Sequence, residues 1–372
     1  MTATRTLQGR ILTADGWMRG TIEFDRRVRA LLPVADAGND GGGDEPLILP
    51  GFIDLHVHGG DGVDIMQGGD AARTVARAHA RHGTTAMLGT TMTAHEDDIV
   101  HALAGLAPAI ARRDAGMARM LGVHLEGPYI SIERLGAQPP LVVEATLAQV
   151  ERLHALAPIR VLTLAPEIGG HRALIPQLAA LGIRVQLGHS AGSYEDGVAA
   201  LDAGAAGFTH LFNGMTGVDH YHPGIATAAL AHAEYAELIP DLKHVHPGTI
   251  RAALRAIPRL YCVTDATAAT GMPDGEYALG SQRVFKCLGC VRLAAGSLAG
   301  SALTMDQALR NLVSLGLDIA DASYRLSRYP ADYLGLADRG RVQAGAHADL
   351  VVLDSRLQVR QVFVEGDEIP LR

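Results

Sequence analysis

About eight short apolar runs alternate with helical stretches between Pro50 and Gly335, and histidines and carboxylates gather at the ends of those runs. Together with strand-rich stretches at both termini, this pattern predicts an α/β fold: a (β/α)8 TIM-like barrel with a small β-sandwich domain built from both ends of the chain. The expected boundaries are residues 1–49 and 341–372 for the small domain and 50–340 for the barrel.

At the amino end, Thr6–Leu12, Thr21–Phe24 and Val28–Val34 are rich in β-formers, and the Gly/Asp-rich stretch Asp36–Glu45 reads as a flexible loop. At the other end, Ala348–Asp354 and Val359–Glu365 have the same strand-like character. Termini often lie close together, which suits one domain made from both. Between them, helices are expected at Ala71–His82, Glu96–Arg112, Ala145–Leu156, His171–Leu181, Tyr194–Ala203 and His246–Ala256. Strands are expected at Thr84–Thr90, Met120–His124, Arg160–Leu164, Arg184–Leu187, Gly207–His210 and Leu260–Thr264. Short apolar strands separated by periodic helices describe a parallel sheet covered on both faces. An open doubly wound sheet is the competing fold, but polar residues at strand ends all along the chain are what a barrel's catalytic face produces.

Composition narrows the function. With 48% hydrophobic and 19% charged residues, the 372-residue chain reads as a well-buried globular protein. A net charge of −8 argues against nucleic acid or anionic membrane as partners, since both demand a basic face. Three cysteines cannot build a disulfide framework, and Met1 to Leu12 holds no apolar stretch of signal-peptide length, so a cytoplasmic protein is expected. Cys287-Leu-Gly-Cys290 has no second pair and lies between strand-like flanks, so it reads as a hairpin turn.

The chemistry is concentrated in five motifs. In Pro50-Gly-Phe-Ile-Asp-Leu-His56-Val-His58-Gly-Gly, the two histidines point to one face of a strand because side chains alternate with period two. A glycine-rich exit beyond them permits a sharp turn and close approach. In His124-Leu-Glu126-Gly-Pro, a carboxylate ends a strand, where it serves either as a metal ligand or as a helix cap. Leu187-Gly-His189-Ser and Thr209-His210-Leu-Phe-Asn213-Gly-Met end successive strands with an imidazole, a favoured ligand of zinc and similar ions. Val263-Thr-Asp265-Ala-Thr ends a late strand with an aspartate suited to moving a proton between a water and a leaving amine.

This set resembles the amidohydrolase superfamily. The local wording, with Leu298-Ala-Gly-Ser-Ala-Leu-Thr-Met added, is similar to the N-acetylglucosamine-6-phosphate deacetylase family from about Leu49 to Ala348. Only two of the 32 basic residues are lysines, Lys243 and Lys286, and none falls between His58 and His189. The carboxylated lysine that bridges metals in many superfamily members is therefore absent, which disfavours dihydroorotase- and urease-like readings and leaves Glu126 in that place.

The resemblance implies a divalent metal, Zn2+, at Glu126, His189 and His210, with His56 and His58 available for a second ion, and Asp265 as the catalytic acid–base. It implies substrate contacts at Ala137, Gln138, Asn213, Gly214, Tyr221, His244, Leu298, Ala299 and Gly300, and a homodimer whose neighbour completes the pocket. Two positions depart from the family. Gln138 stands where a histidine polarises the amide carbonyl, and Tyr221 stands where an arginine grips the sugar phosphate; Lys243, His220 and His222 are the candidates to compensate. The expected activity is hydrolysis of N-acetyl-D-glucosamine 6-phosphate to D-glucosamine 6-phosphate and acetate. The alternatives are deacylation of an unphosphorylated or differently acylated amine, such as an N-acetylgalactosamine or an N-acyl-D-amino acid, and a non-catalytic amidohydrolase-like binding protein.

Overall fold

The computed structural model describes residues 4–34 and 45–371. The expected loop at Asp36–Glu45 lies outside those residues apart from Glu45.

Strands from both ends of the chain form one seven-stranded sheet. Its strands are Arg5–Thr13, Gly16–Phe24, Val28–Pro33 and Leu47–Pro50 from the amino end, and Leu350–Leu353, Val359–Val364 and Asp367–Glu368 from the carboxyl end. Leu47–Pro50 sits between the two sets, parallel to the first strand and antiparallel to Leu350–Leu353. The sheet folds over on itself. Three strands separate Phe24 from Phe363 in the pairing order, yet their rings meet edge to face at 5.1 Å. Ile11, Ile22, Val28, Ile48, Leu350 and Val352 fill the same core, giving the two-faced packing of a sandwich from a single sheet.

The other sheet is parallel and closes into a barrel. Phe52–Asp54, Thr84–Thr91, Arg119–Glu126, Ile159–Leu164, Arg184–Leu187 and Gly207–Phe208 pair in chain order. Glu237–Leu238 and Tyr261–Cys262 supply the seventh and eighth positions among the described residues. The ring shuts where Val57 bridges Ala266 in parallel. At that seam the Asp265 N–H donates to the His56 carbonyl at 3.0 Å, and the buried Asp54 carboxylate accepts the Thr264 hydroxyl at 2.6 Å. Every residue of Thr84–Thr91 is buried, because barrel side chains pack inward and the helices cover the outside.

The expected elements lie close to those observed, with ends moved by a few residues. Four helices were not expected: Ile225–His232, Met305–Ser314, Ile319–Leu326 and Arg328–Tyr333. The Cys287–Cys290 segment is the tip of a hairpin, with Leu288 and Gly289 both at positive φ. That hairpin belongs to a three-stranded antiparallel sheet, Gly275–Leu279, Gln282–Cys287 and Cys290–Leu293, which packs over the barrel mouth against Met92. Among the described residues, no helix is long and apolar enough to cross a membrane.

Candidate active site

Six side chains from five strand ends converge at the carboxyl end of the barrel. The Glu126 carboxylate is their hub, and its two oxygens face different partners. Oε1 lies 2.9 Å from His210 Nε2 and 3.1 Å from His189 Nε2, while Oε2 lies 3.2 Å from His58 Nε2 and 3.6 Å from His56 Nε2. Asp265 Oδ1 stands on the far side of the histidine pair, 3.3 Å from His58 Nε2 and 3.6 Å from His56 Nε2. All six residues are buried.

The backbone is bent to achieve this. His189, His210 and Asp265 all adopt left-handed φ, at 46°, 26° and 52°. Each such non-glycine residue costs about 1–3 kcal/mol, and such costs cluster where side chains must be aimed. The turn directly after each strand swings these three side chains over the barrel axis instead of letting them follow the strand. Glycine serves the same end beside His58 and Glu126. A Cβ on Gly59 would lie 2.5 Å from the Ala268 nitrogen, and one on Gly127 would lie 2.0 Å from Thr93 Oγ1.

The surrounding hydrogen bonds fix which ring nitrogen faces inward. His56 Nδ1 meets the Glu237 carboxylate at 2.7 Å, and His189 Nδ1 meets the Arg134 carbonyl at 2.8 Å. With the proton held on Nδ1, the Nε2 lone pair points into the site. Glu237 Oε1 also accepts the His210 backbone N–H at 3.0 Å, so one buried carboxylate braces two histidines. His124 shares the inward face of its strand with Glu126 but points elsewhere. Its ring bonds the Leu55 carbonyl and the Thr163 hydroxyl, and burial with the charge of His56 pushes its pKa down to about 4.

The field of the site demands positive charge. Burial opposes protonation of His58, yet Asp265 and Glu126 outweigh it and hold the imidazole up at about 9. Burial works against charge on Glu126 as well, but His56, His189 and His210 keep its carboxyl well below the usual range. Two facing imidazole nitrogens, His189 and His210 Nε2 at 3.1 Å, beside a carboxylate oxygen are a poor hydrogen-bonded set and a good ligand set. His56, His58 and Asp265 form a second such group, and His56, His124 and Glu237 a third. The donors present fit a divalent cation.

A cavity of about 150 Å³ opens onto this cluster. Of the expected substrate contacts, Ala137, Gln138, Asn213, Gly214, His244, Leu298 and Gly300 line it. Two do not. Ala299 is turned away and packs among Met92, Val284 and Val291, because side chains alternate between Leu298 and Gly300. Tyr221 is 78% exposed, on a turn where Asp219 accepts the backbone N–H groups of Tyr221 and His222. None of the three candidates to compensate lines the pocket: Lys243 Nζ donates to the Leu288 and Gly289 carbonyls, the His220 ring packs against Tyr221, and His222 is exposed on the same turn. Gln138 is 4% exposed, accepts the Thr93 N–H at 2.7 Å and donates to Glu126 Oε2 at 2.7 Å, leaving its second amide N–H unused. His244 is held by Asp241 at 2.7 Å. Sequence reasoning missed Glu237, Met92 and Leu279; a lone acid in Ala236-Glu237-Leu238 was the one signal for the first.

Comparison with known proteins follows the same line. The Amidohydrolase family model matches residues 47–369. The N-acetylgalactosamine-6-phosphate deacetylase of Escherichia coli O157:H7 is 40% identical over 367 residues, spanning 96% of this chain and 97% of its own. The N-acetylglucosamine-6-phosphate deacetylase of Vibrio furnissii is 39% identical over 327 residues, spanning 86% and 82%. A substituted N-acetyl-D-glucosamine-6-phosphate deacetylase from Mycobacterium smegmatis, solved with N-acetyl-D-glucosamine 6-phosphate, superimposes with a TM-score of 0.90. It is 33% identical and covers 99% of this chain and all of that one.

Proposed function

The chain belongs to the amidohydrolase family and is a hydrolase of carbon–nitrogen bonds, and on that premise we propose that it removes the acetyl group from N-acetyl-D-glucosamine 6-phosphate. The observation that carries this reading is the convergence of Glu126, His189 and His210 on one point, with Asp265 beside it. Glu126, His189 and His210 would hold a divalent ion, and Zn2+ suits a set of imidazole and carboxylate donors. His56, His58 and Asp265 are the group for a second ion. When bound, such an ion polarises the acyl carbonyl and acidifies water at neutral pH.

The residues do the rest. Asp265, kept ionised by the neighbouring histidines against the effect of burial, takes the proton of the attacking water and returns it to the departing amine. Gln138, clamped between Thr93 and Glu126, offers its remaining N–H to the oxygen that gains charge. Asn213, Gly214 and His244 line the side where the sugar would lie, with Asp241 orienting the His244 ring. The exposed loop of His220, Tyr221 and His222 is suited to completing the pocket of a neighbour in a homodimer, the role the family gives to this position.

A second reading is favoured by a specific observation. The relative that is 40% identical over nearly its whole length is named for the galacto epimer, N-acetylgalactosamine 6-phosphate. The test is acetate release by the zinc-loaded enzyme from the gluco and galacto substrates, each with and without the 6-phosphate. The proposal expects the gluco phosphate to have the highest kcat/KM. A higher value for the galacto phosphate would transfer the assignment to the epimer, and no release from either would end it.

A further inference from the structure

The catalytic pocket has a thin wall with a larger cavity behind it. Met92 follows the second barrel strand, and Asn213 and Gly214 follow the sixth, so they lie on opposite sides of an eight-membered ring. An amide whose carbonyl carbon sits at Asp265 and whose sugar lies against Asn213, Gly214 and His244 must send its acyl tail toward Met92. There the surface is apolar: Met92 is 1% exposed and packs with Leu279 in one cluster.

Beyond this wall lies a cavity of about 410 Å³, lined by Met66, Gln67, Ala94, His95, Leu141 and Gly280 among others. Two methionines form the partition, Met92 on the catalytic side and Met66 on the outer side. The Met92 backbone N–H meets Met66 Sδ at 3.3 Å, and a Cβ on Gly280 would lie 3.2 Å from the Met92 Cβ. Leu279 faces the catalytic pocket and its neighbour Gly280 faces the outer cavity. Met66 is held by that one bond, and the flexible Met92 side chain fills the space on the catalytic side.

We infer that Met92 is the specificity-determining residue for acyl length: its side chain closes the acyl subsite behind an acetyl methyl, and shortening it deepens the subsite toward Met66 and the outer cavity. The inference rests on the proposed deacetylase reading. Extra methylenes in a closed apolar pocket are each rejected by roughly 10–200-fold.

The test measures kcat/KM on the N-acetyl, N-propionyl, N-butyryl and N-hexanoyl derivatives of D-glucosamine 6-phosphate, by appearance of free amine. The wild type should fall steeply from acetyl to butyryl. In Met92→Ala the butyryl-to-acetyl ratio should rise by about tenfold or more. Met92→Val, a smaller truncation, carries the same test with a smaller rise should the alanine variant not fold. A folded variant whose ratio equals that of the wild type, or a wild type that prefers butyryl, overturns the inference. A wild type that cleaves none of the four overturns the deacetylase reading itself, and the acyl subsite with it.

Discussion

Glu237→Gln separates bracing of the site from ligation. Glu237 is fully buried, and its Oε1 takes both the His56 ring proton at 2.7 Å and the His210 backbone N–H at 3.0 Å. Glutamine has the same size and keeps an acceptor oxygen, so the packing against Tyr261 should survive. What is lost is charge. A hydrogen bond to a charged group contributes about 1.5–3 kcal/mol net, against about 1 kcal/mol for a neutral pair. The difference of about 1–1.5 kcal/mol corresponds to roughly tenfold in an equilibrium constant. Removing one of the carboxylates that draw positive charge toward His56 acts in the same direction, and losses of about 10–100-fold are typical of such supporting residues. The assay is competitive titration of the metal-free protein with Zn2+ against a chromophoric chelator, with kcat/KM measured alongside. Zinc affinity should fall by about tenfold or more, with the thermal midpoint of the metal-free protein little changed. Affinity and kcat/KM equal to the wild type within error would refute the bracing role.

Three further outcomes are expected. Asp265→Asn should retain zinc through Glu126, His189 and His210 but lose kcat by about 10²–10⁴-fold, read by metal analysis and acetate release on the same sample. His79 is fully buried against the Gly59 carbonyl at 2.9 Å, and burial pushes its pKa down to about 4. The unfolded chain therefore takes up a proton near pH 6.5 that the folded chain refuses until about 4, so stability falls as pH drops through that window. At pH 4.5 the loss is about 2–3 kcal/mol, or about 3 °C for a chain of this size, and His79→Gln should lack that part of the acid-induced drop in thermal midpoint. Arg339→Met removes the one guanidinium paired with the buried Asp349, while Glu365 keeps its pair with Arg119, and should cost about 3–5 kcal/mol in a melting experiment while leaving kcat unchanged.

The sequence made most of the buried histidine–carboxylate cluster legible because each member lies at a position that local rules govern. His56 and His58 share a face by strand alternation, and Glu126, His189, His210 and Asp265 each follow an apolar run. The same rule, applied at Leu298-Ala299-Gly300, would have excluded Ala299, whose side chain faces the hairpin core. Other features depend on contacts between distant segments. Glu237–Leu238 is only two residues long and has no periodicity, so neither the seventh strand nor its buried acid could be read. Ile225–His232 is an alanine-rich helix without a polar stripe, so it carries no amphipathic signature. Met92 and Leu279 meet only because the three-stranded sheet folds over the barrel mouth. A linear motif also does not say which way a turn projects its side chains, and Tyr221 is exposed and does not line the pocket.

Acetate release from N-acetyl-D-glucosamine 6-phosphate by protein stripped of metal with a chelator, then given Zn2+ stepwise, probes the convergence of Glu126, His189 and His210 most directly. Turnover should vanish in the stripped protein and return in proportion to zinc bound. Undiminished turnover in protein shown to be free of metal would mean that those three side chains meet for some other reason.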